Sequence, residues 1–389
     1  MRPDQQGEAI FLLPDEKLAE LLSAIKERGY QLIAPILRDA ALCFSEIDGA
    51  SELPQGLRDA QSPGSYRIKQ TASPERFAHA SGPTSLKRFL YPPRLKLWQT
   101  QRKANAMVFE EPADPPPRYA FIGPRPCDLQ AVAIQDRVFL RSAHPDNDYR
   151  RRRENALFVA VNCLHPSESC FCSSMNSGPS AKSGFDILLT EQIESEELYY
   201  LVQTGTDEGL EILNTLKLKP AADSKKRKAA TELKQATKKI ERKLDPTGIG
   251  PALKERLDSP AWDELENRCL ACGNCTLACP TCFCSTVEDH TDLAGEIATR
   301  DRVWDSCFQQ SFSYVAGGPV RSTIKGRYRQ WLTHKLSSWS DQFGTLGCVG
   351  CGRCITWCPV GIDLVAEANA ICTERQSQNP TKTTIGVSP

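Results

Sequence analysis

Cys269-Leu-Ala-Cys272-Gly-Asn-Cys275-Thr-Leu-Ala-Cys279-Pro280 recurs as Cys348-Val-Gly-Cys351-Gly-Arg-Cys354-Ile-Thr-Trp-Cys358-Pro359. Both runs have the spacing C-x2-C-x2-C-x3-C-P. Three thiolates spaced this way lie along one tight loop, where each can reach a different iron of a cubane. The fourth, followed by proline, points away, and in two-cluster ferredoxins it ligates the neighbouring cluster. Crossed ligation predicts one [4Fe-4S] cluster on Cys269, Cys272, Cys275 and Cys358. A second would use Cys348, Cys351, Cys354 and Cys279. The insert between Cys279 and Cys348 is longer than in small ferredoxins, so uncrossed ligation is the alternative. Structural zinc prefers two separated C-x2-C pairs, which two matching four-cysteine runs do not resemble. Gly273 and Gly352 fall at the same place in each run. Glycine there permits a positive φ and turns successive amides towards sulfur.

The chain has 389 residues, enough for two or three domains, with 48 Lys plus Arg against 48 Asp plus Glu. Zero net charge disfavours a nucleic-acid binder, which is usually basic over a whole domain. No apolar run approaches the ~18 residues of a membrane-spanning helix. The opening Met1-Arg2-Pro3-Asp4-Gln5-Gln6 lacks the basic-then-apolar layout of a secretory signal. A cytoplasmic location is expected. Seventeen cysteines under reducing conditions then read as metal ligands, and their odd number argues against a closed set of disulfides.

A third array is less regular: Cys127, then Cys163, Cys170 and Cys172. Four thiols complete a cluster shell, and Pro124 and Pro126 stiffen the loop around Cys127. The alternative is buried free cysteine acting as a small core hydrophobe. Cys43 and Cys372 read as core residues. Cys282-Phe283-Cys284 repeats the pattern of Cys170-Phe171-Cys172, with Cys307 the nearest further thiol. These three are expected to pack against the first cluster's loop and exclude water, with a partial metal site as the alternative.

The expected fold is an α/β N-terminal domain carrying one cluster, followed by a C-terminal α-helical ferredoxin-like domain carrying two. Leu18, Leu21, Leu22 and Ile25 carry a helical period, and strands are expected over 31–37, 41–47, 119–122, 157–161, 185–189 and 198–202. A helical period resumes over 128–138. The stretch 51–117 is rich in Pro, Ser and charge and is read as irregular. Cys127 and Cys163 follow two apolar strands, where ligands sit in open α/β sheets. From Lys217 to Lys243 there are eleven Lys or Arg against three acidic residues. Leu233, Thr237, Ile240 and Leu244 mark this stretch as a helix with a solvated basic face. The domains expected are 1–215, an α/β domain with the four-cysteine site; 216–260, a basic helical linker; 261–375, the two-cluster ferredoxin-type domain; and 376–389, a flexible tail.

No G-x-G-x-x-G follows a strand, apart from the weak match at Gly205 and Gly209. No Walker lysine motif and no H-E-x-x-H occur, and the five histidines (His79, His144, His165, His290 and His334) are scattered. Nothing marks a nucleophile or an acid–base pair, so no catalytic residue is assigned.

Several segments together resemble the hydrogenase/sulfur reductase β-subunit family, which includes the corresponding iron–sulfur protein of anaerobic sulfite reductase. They are Gly123-Pro-Arg-Pro-Cys-Asp-Leu129, Ser169-Cys-Phe-Cys172, Cys279-Pro-Thr-Cys-Phe-Cys284, Trp304-Asp-Ser-Cys-Phe308 and Gly347 to Gly361. The resemblance runs from about Leu12 to Ile362. It implies a third [4Fe-4S] cluster on Cys127, Cys163, Cys170 and Cys172, and three clusters forming a relay. It also implies two partners, a flavin subunit handling NAD(P)H and a catalytic subunit of a hydrogenase or sulfite reductase. A self-contained flavin oxidoreductase is the alternative from another class, without a dinucleotide fingerprint to support it.

Overall fold

The computed structural model describes residues 9–104, 106–110 and 115–373. The hexapeptide 1–6 and the tail expected over 376–389 lie outside the described residues. The chain opens with β1 (Phe11–Pro14), α1 (Leu18–Glu27), β2 (Gln31–Arg38), β3 (Ala41–Ile47), β4 (Leu57–Ser62) and β5 (Ser65–Gln70). It continues with α2 (Lys87–Leu90), β6 (Arg94–Lys103), β7 (Ala106–Glu110), β8 (Tyr119–Ile122), α3 (Pro126–Leu140) and α4 (Asn147–Glu154). Then come β9 (Ala156–Val161), β10 (Ile187–Glu194), β11 (Glu197–Thr204), α5 (Asp207–Thr215), β12 (Lys219–Pro220) and α6 (Asp223–Lys238).

Eight of these strands form one mixed sheet in the order β12-β1-β11-β10-β9-β8-β2-β3. Its centre, β10, β9, β8 and β2, is parallel, with Phe121 opposite both Phe158 and Ile33. Central strands covered on both faces read as continuous apolar runs, as Tyr119–Ile122 and Ala156–Val161 do. Ala120, Ile122, Val159 and Val161 pack on one face against Leu21, Leu22 and Ile25 of α1 and Ile212 of α5. Phe121, Phe158 and Ala160 pack on the other against Leu129 and Val132 of α3 and Tyr149 of α4. Cys127, at the start of α3 just after β8, and Cys163, in the loop after β9, lie at one end of this sheet.

The remainder holds α7 (Ile249–Glu255), α8 (Ala261–Arg268), α9 (Asn274–Leu277), β13 (Ser285–Thr291), β14 (Ile297–Trp304) and α10 (Ile324–Thr333). A π turn over His334–Ser338 leads into α11 (Trp339–Phe343), and α12 (Arg353–Thr356) and α13 (Leu364–Thr373) follow. Trp262, Leu265, Trp331, Leu332, Leu336, Leu364 and Ala368 build its core, and most of the ferredoxin-motif thiols pack against it.

Two expectations need correction. The stretch 51–117 is not irregular: β4 and β5 form a hairpin, and β6 and β7 join β13 and β14 in a four-stranded sheet. That second sheet stands away from the core, with Phe109 71% and Met107 46% exposed. Its buried residues, Thr100, Asp301 and Val303, are few and mostly polar, so there is no strong apolar alternation to read. For the same reason the C-terminal part is not purely helical, since its insert contributes the β13–β14 hairpin. On α6 the buried residues are Ala229 and Ala236, with Ile240 buried just beyond; Thr237 is exposed and its hydroxyl bonds back to Leu233 O. Part of the basic run is paired, Lys225 with Glu194 and Lys226 with Asp223.

Candidate metal centres

The two ferredoxin motifs fold alike. Ala271 and Gly350 sit at φ +51° and +65°, and Gly273 and Gly352 both at +76°. Each loop then enters a one-turn helix, α9 or α12. At equivalent places the Ala271 N–H donates to Cys269 Sγ and the Gly350 N–H to Cys348 Sγ, both at 3.4 Å. The Ile362 N–H makes a similar bond to Cys358 Sγ at 3.3 Å. Such amides stabilise thiolate charge and tune a bound metal. The repeat is thus one of conformation as well as spacing, although the donors stand two residues before the glycines the sequence singled out.

Cys269, Cys272, Cys275 and Cys358 line one cavity, closed on its inner side by Phe308, Tyr328 and Trp331. Burial pushes the Cys275 thiol well above its ordinary value, helped by the nearby Cys269, Cys272 and Cys358. Burial likewise raises Cys354, with Cys348, Cys279 and Cys351 beside it. Cys358 therefore stands among the thiols of the first run and Cys279 among those of the second, although Cys279 also neighbours Cys275 and Cys354 also lines the first cavity. Cys279 is drawn well below the ordinary thiol value by its hydrogen bond with Cys282 and, against burial, by Lys335. The Lys335 ammonium, 2% exposed on the π turn, donates to Cys279 Sγ (3.2 Å), Thr281 Oγ1 (3.2 Å) and Gly347 O (2.8 Å). Burial opposes its charge, yet the surrounding thiols hold it well above the usual lysine range.

The third array also comes together. Pro126 and Cys127 open α3, where the Arg125 N–H donates to Asp128 Oδ2 at 3.0 Å. Cys163, Cys170 and Cys172 are all buried, and burial raises each thiol, Cys170 to about 12. Cys127 is raised by burial too, with Cys351 and Cys172 among its neighbours. Ser167 Oγ lies 3.1 Å from Cys170 Sγ, and Ser81 Oγ lies 3.8 Å from Cys127 Sγ.

This array abuts the second motif. The Phe171 N–H donates to Gly350 O at 2.8 Å, and Cys170 Sγ reaches Cys351 O at 3.8 Å. A Cβ on Gly350 would stand 2.6 Å from Phe171 C and O, and one on Gly352 would stand 2.5 Å from Ser169 O. Both glycines are required by this close approach as well as by φ. Arg353, fully buried, ties the second motif to the start of α3 and to Gly82: its Nη2 meets Asp128 Oδ1 at 2.8 Å and its Nε meets Gly82 O at 2.8 Å. The first and second motifs touch through Asn274 Nδ2 and Trp357 O at 3.3 Å. The three thiol sets therefore lie in series, and Cys272 alone among the twelve is exposed.

A family model for the 4Fe-4S dicluster domain matches residues 268–362. Over 356 residues, 91% of this chain and 95% of the relative, the sequence is 30% identical to the sulfhydrogenase 2 subunit beta of Pyrococcus furiosus. The chain belongs to the hydrogenase β-subunit iron–sulfur family. No solved structure matches it significantly.

The residues of this β-subunit homologue suit such clusters. Its donors are thiols alone, and burial favours their protonated forms unless metal takes up the charge. Among the described residues no three His, Cys, Asp or Glu converge closely enough for a single ion. The first set lines a cavity instead, as donors to a multi-iron cage would. Tyr328 Oη and Trp331 Nε1 are buried beside this cavity without a protein partner, as donors to sulfide or thiolate sulfur would be. Lys335, Arg353 and the buried Lys87, whose Nζ donates to Cys282 O at 3.0 Å, escaped sequence reasoning. Arg353 carried a faint signal, standing where the first motif has Asn274.

Of the remaining thiols, Cys282 and Cys307 pack in the same core as Cys269 and Cys275 of the first motif, and Cys282, Cys284 and Cys307 line a cavity with Lys335. Cys43 and Cys372 are only half-buried. His165 binds Glu75 Oε1 at 2.8 Å. No helix among the described residues is long and apolar enough to cross a membrane.

Proposed function

We propose that this chain holds three [4Fe-4S] clusters and relays single electrons within a hydrogenase, between a flavin subunit handling NAD(P)H and the catalytic subunit. The ligands are Cys269, Cys272, Cys275 and Cys358; Cys348, Cys351, Cys354 and Cys279; and Cys127, Cys163, Cys170 and Cys172. The observation that carries the reading is the direct contact of the three thiol loops in series, through Phe171 with Gly350 and Asn274 with Trp357. Clusters bound there would supply one-electron carriers.

The chain's own residues support that role. Amides at Ala271, Gly350 and Ile362 and the Lys335 ammonium offset thiolate charge. Phe308, Tyr328 and Trp331 exclude water from the first set. Cys272 brings that set to the surface, where a partner can approach. The division into domains 1–215, 216–260 and 261–375 belongs to this reading; the main sheet has a core of its own, while β6–β7 and Phe171 cross to the C-terminal part. A cytoplasmic setting accords with seventeen unpaired cysteines.

The test is anaerobic isolation of the tagged chain with whatever it binds in its own cells. A co-purifying flavoprotein and a nickel protein, with NAD(P)H bleaching the iron–sulfur absorbance, are expected. A siroheme partner instead would assign the chain to a sulfite reductase. A lone chain that keeps flavin and reduces a substrate unaided would overturn the relay.

A further inference from the structure

We infer that Cys284 and Cys307 form a redox-active dithiol that exchanges with a small, anionic disulfide entering the cavity beside Lys335. Cys284 immediately precedes β13 and Cys307 follows β14, whose pairing aligns Ser285 with Trp304. The Asp305 N–H donates to Cys284 O at 2.9 Å, which extends the ladder by one residue and fixes the two thiols at the same end of the hairpin. Both thiols line one cavity, which Cys282 also borders. Neither belongs to a four-thiol set, whereas Cys282 is engaged with Cys279. Both are half-buried, so molecules in solution can reach them. The cavity they line contains Arg321 and Lys335 and no carboxylate, which favours an anionic visitor.

The pair is polarised as an exchanging dithiol requires. The neighbouring Cys307 thiol brings Cys284, against its burial, down to about 7, while Cys307 itself is raised by Cys284 beside it. Cys284 is thus the nucleophile and Cys307 the resolving thiol. The Cys284 thiolate attacks a disulfide RSSR; the S–S bond breaks, RS⁻ departs and takes a proton, and a mixed disulfide forms on Cys284. Cys307 then gives its proton to solvent and attacks the Cys284 sulfur, displacing the second RS⁻, which is protonated in turn. In sum, the dithiol loses two electrons and RSSR becomes two RSH.

The test treats anaerobic, iron-loaded protein with oxidised glutathione, quenches it with a thiol alkylator and maps the peptides by mass spectrometry. Wild-type protein should yield a Cys284–Cys307 cross-link. Cys307→Ser should instead trap glutathione on Cys284, and Arg321→Gln should slow wild-type cross-linking severalfold. Absence of both the cross-link and the adduct overturns the dithiol, and an unchanged rate in Arg321→Gln overturns the anionic preference. Loss of about four irons in Cys284→Ser also overturns it, by making the residue a cluster ligand. The wild-type cross-link needs no variant to fold, and iron measured beforehand keeps a failure of the cluster reading distinct.

Discussion

Replacing Lys335 by methionine should lower the reduction potential of the second cluster without removing its iron. Lys335 Nζ lies 3.2 Å from Cys279 Sγ and is 2% exposed, so its charge acts where water screens poorly. We take roughly 6 Å from the ammonium to the centre of the charge an added electron brings, and an effective dielectric of about 20. The attraction is then about 2.8 kcal/mol. For a one-electron couple that is about 120 mV, and water entering the vacated space trims it to about 100 mV. The sign follows directly: a buried cation favours the reduced, more negative cluster, so its loss shifts the potential down. An EPR-monitored redox titration on protein of verified iron content reads the shift. A potential within about 20 mV of wild type, with iron intact, would refute a charged Lys335 beside a ligating Cys279.

Other outcomes are expected together. Arg353→Met leaves Asp128 buried without its partner and should cost about 3–5 kcal/mol, read as a lowered midpoint of denaturant unfolding under argon. Gly350→Ala sets a Cβ 2.6 Å from Phe171 C and O at a residue of φ +65°, so the third site should lose iron while the first keeps it. Site-resolved EPR checks that, and unaltered spectra would disprove the proposed packing of the loops. Cys127→Ala should remove about four irons, and unaltered iron would return the third array to core packing. Stripping iron with a chelator under oxidant should open the 269–284 and 346–362 loops to protease before the central sheet, because their thiols pack against the C-terminal core.

What the sequence made legible follows from how local each signal is. The two C-x2-C-x2-C-x3-C-P runs were readable because cubane geometry fixes ligand spacing within a dozen residues. The strands at Tyr119–Ile122 and Ala156–Val161 were readable because burial on both faces leaves unbroken apolar runs. The β6–β7 hairpin was not, since its faces are largely open and its partner strands lie across the chain near residue 300. Lys335 was hidden for a different reason. It stands 56 residues from Cys279, on a π turn that no spacing in either motif announces. The crossing of Cys279 and Cys358 was expected from the small ferredoxins. How the insert 280–347 leaves Cys279 near the second run became visible only in the fold, where α10 and α11 pack against the motifs and the hairpin β13–β14 leaves to pair with β6.

The most direct measurement is iron, acid-labile sulfide and zinc, counted per chain on anaerobically prepared protein. Three thiol sets in contact predict about twelve irons and about twelve sulfides, with no zinc. Zinc in place of iron, or a colourless protein that still sustains its hydrogenase, would contradict the account.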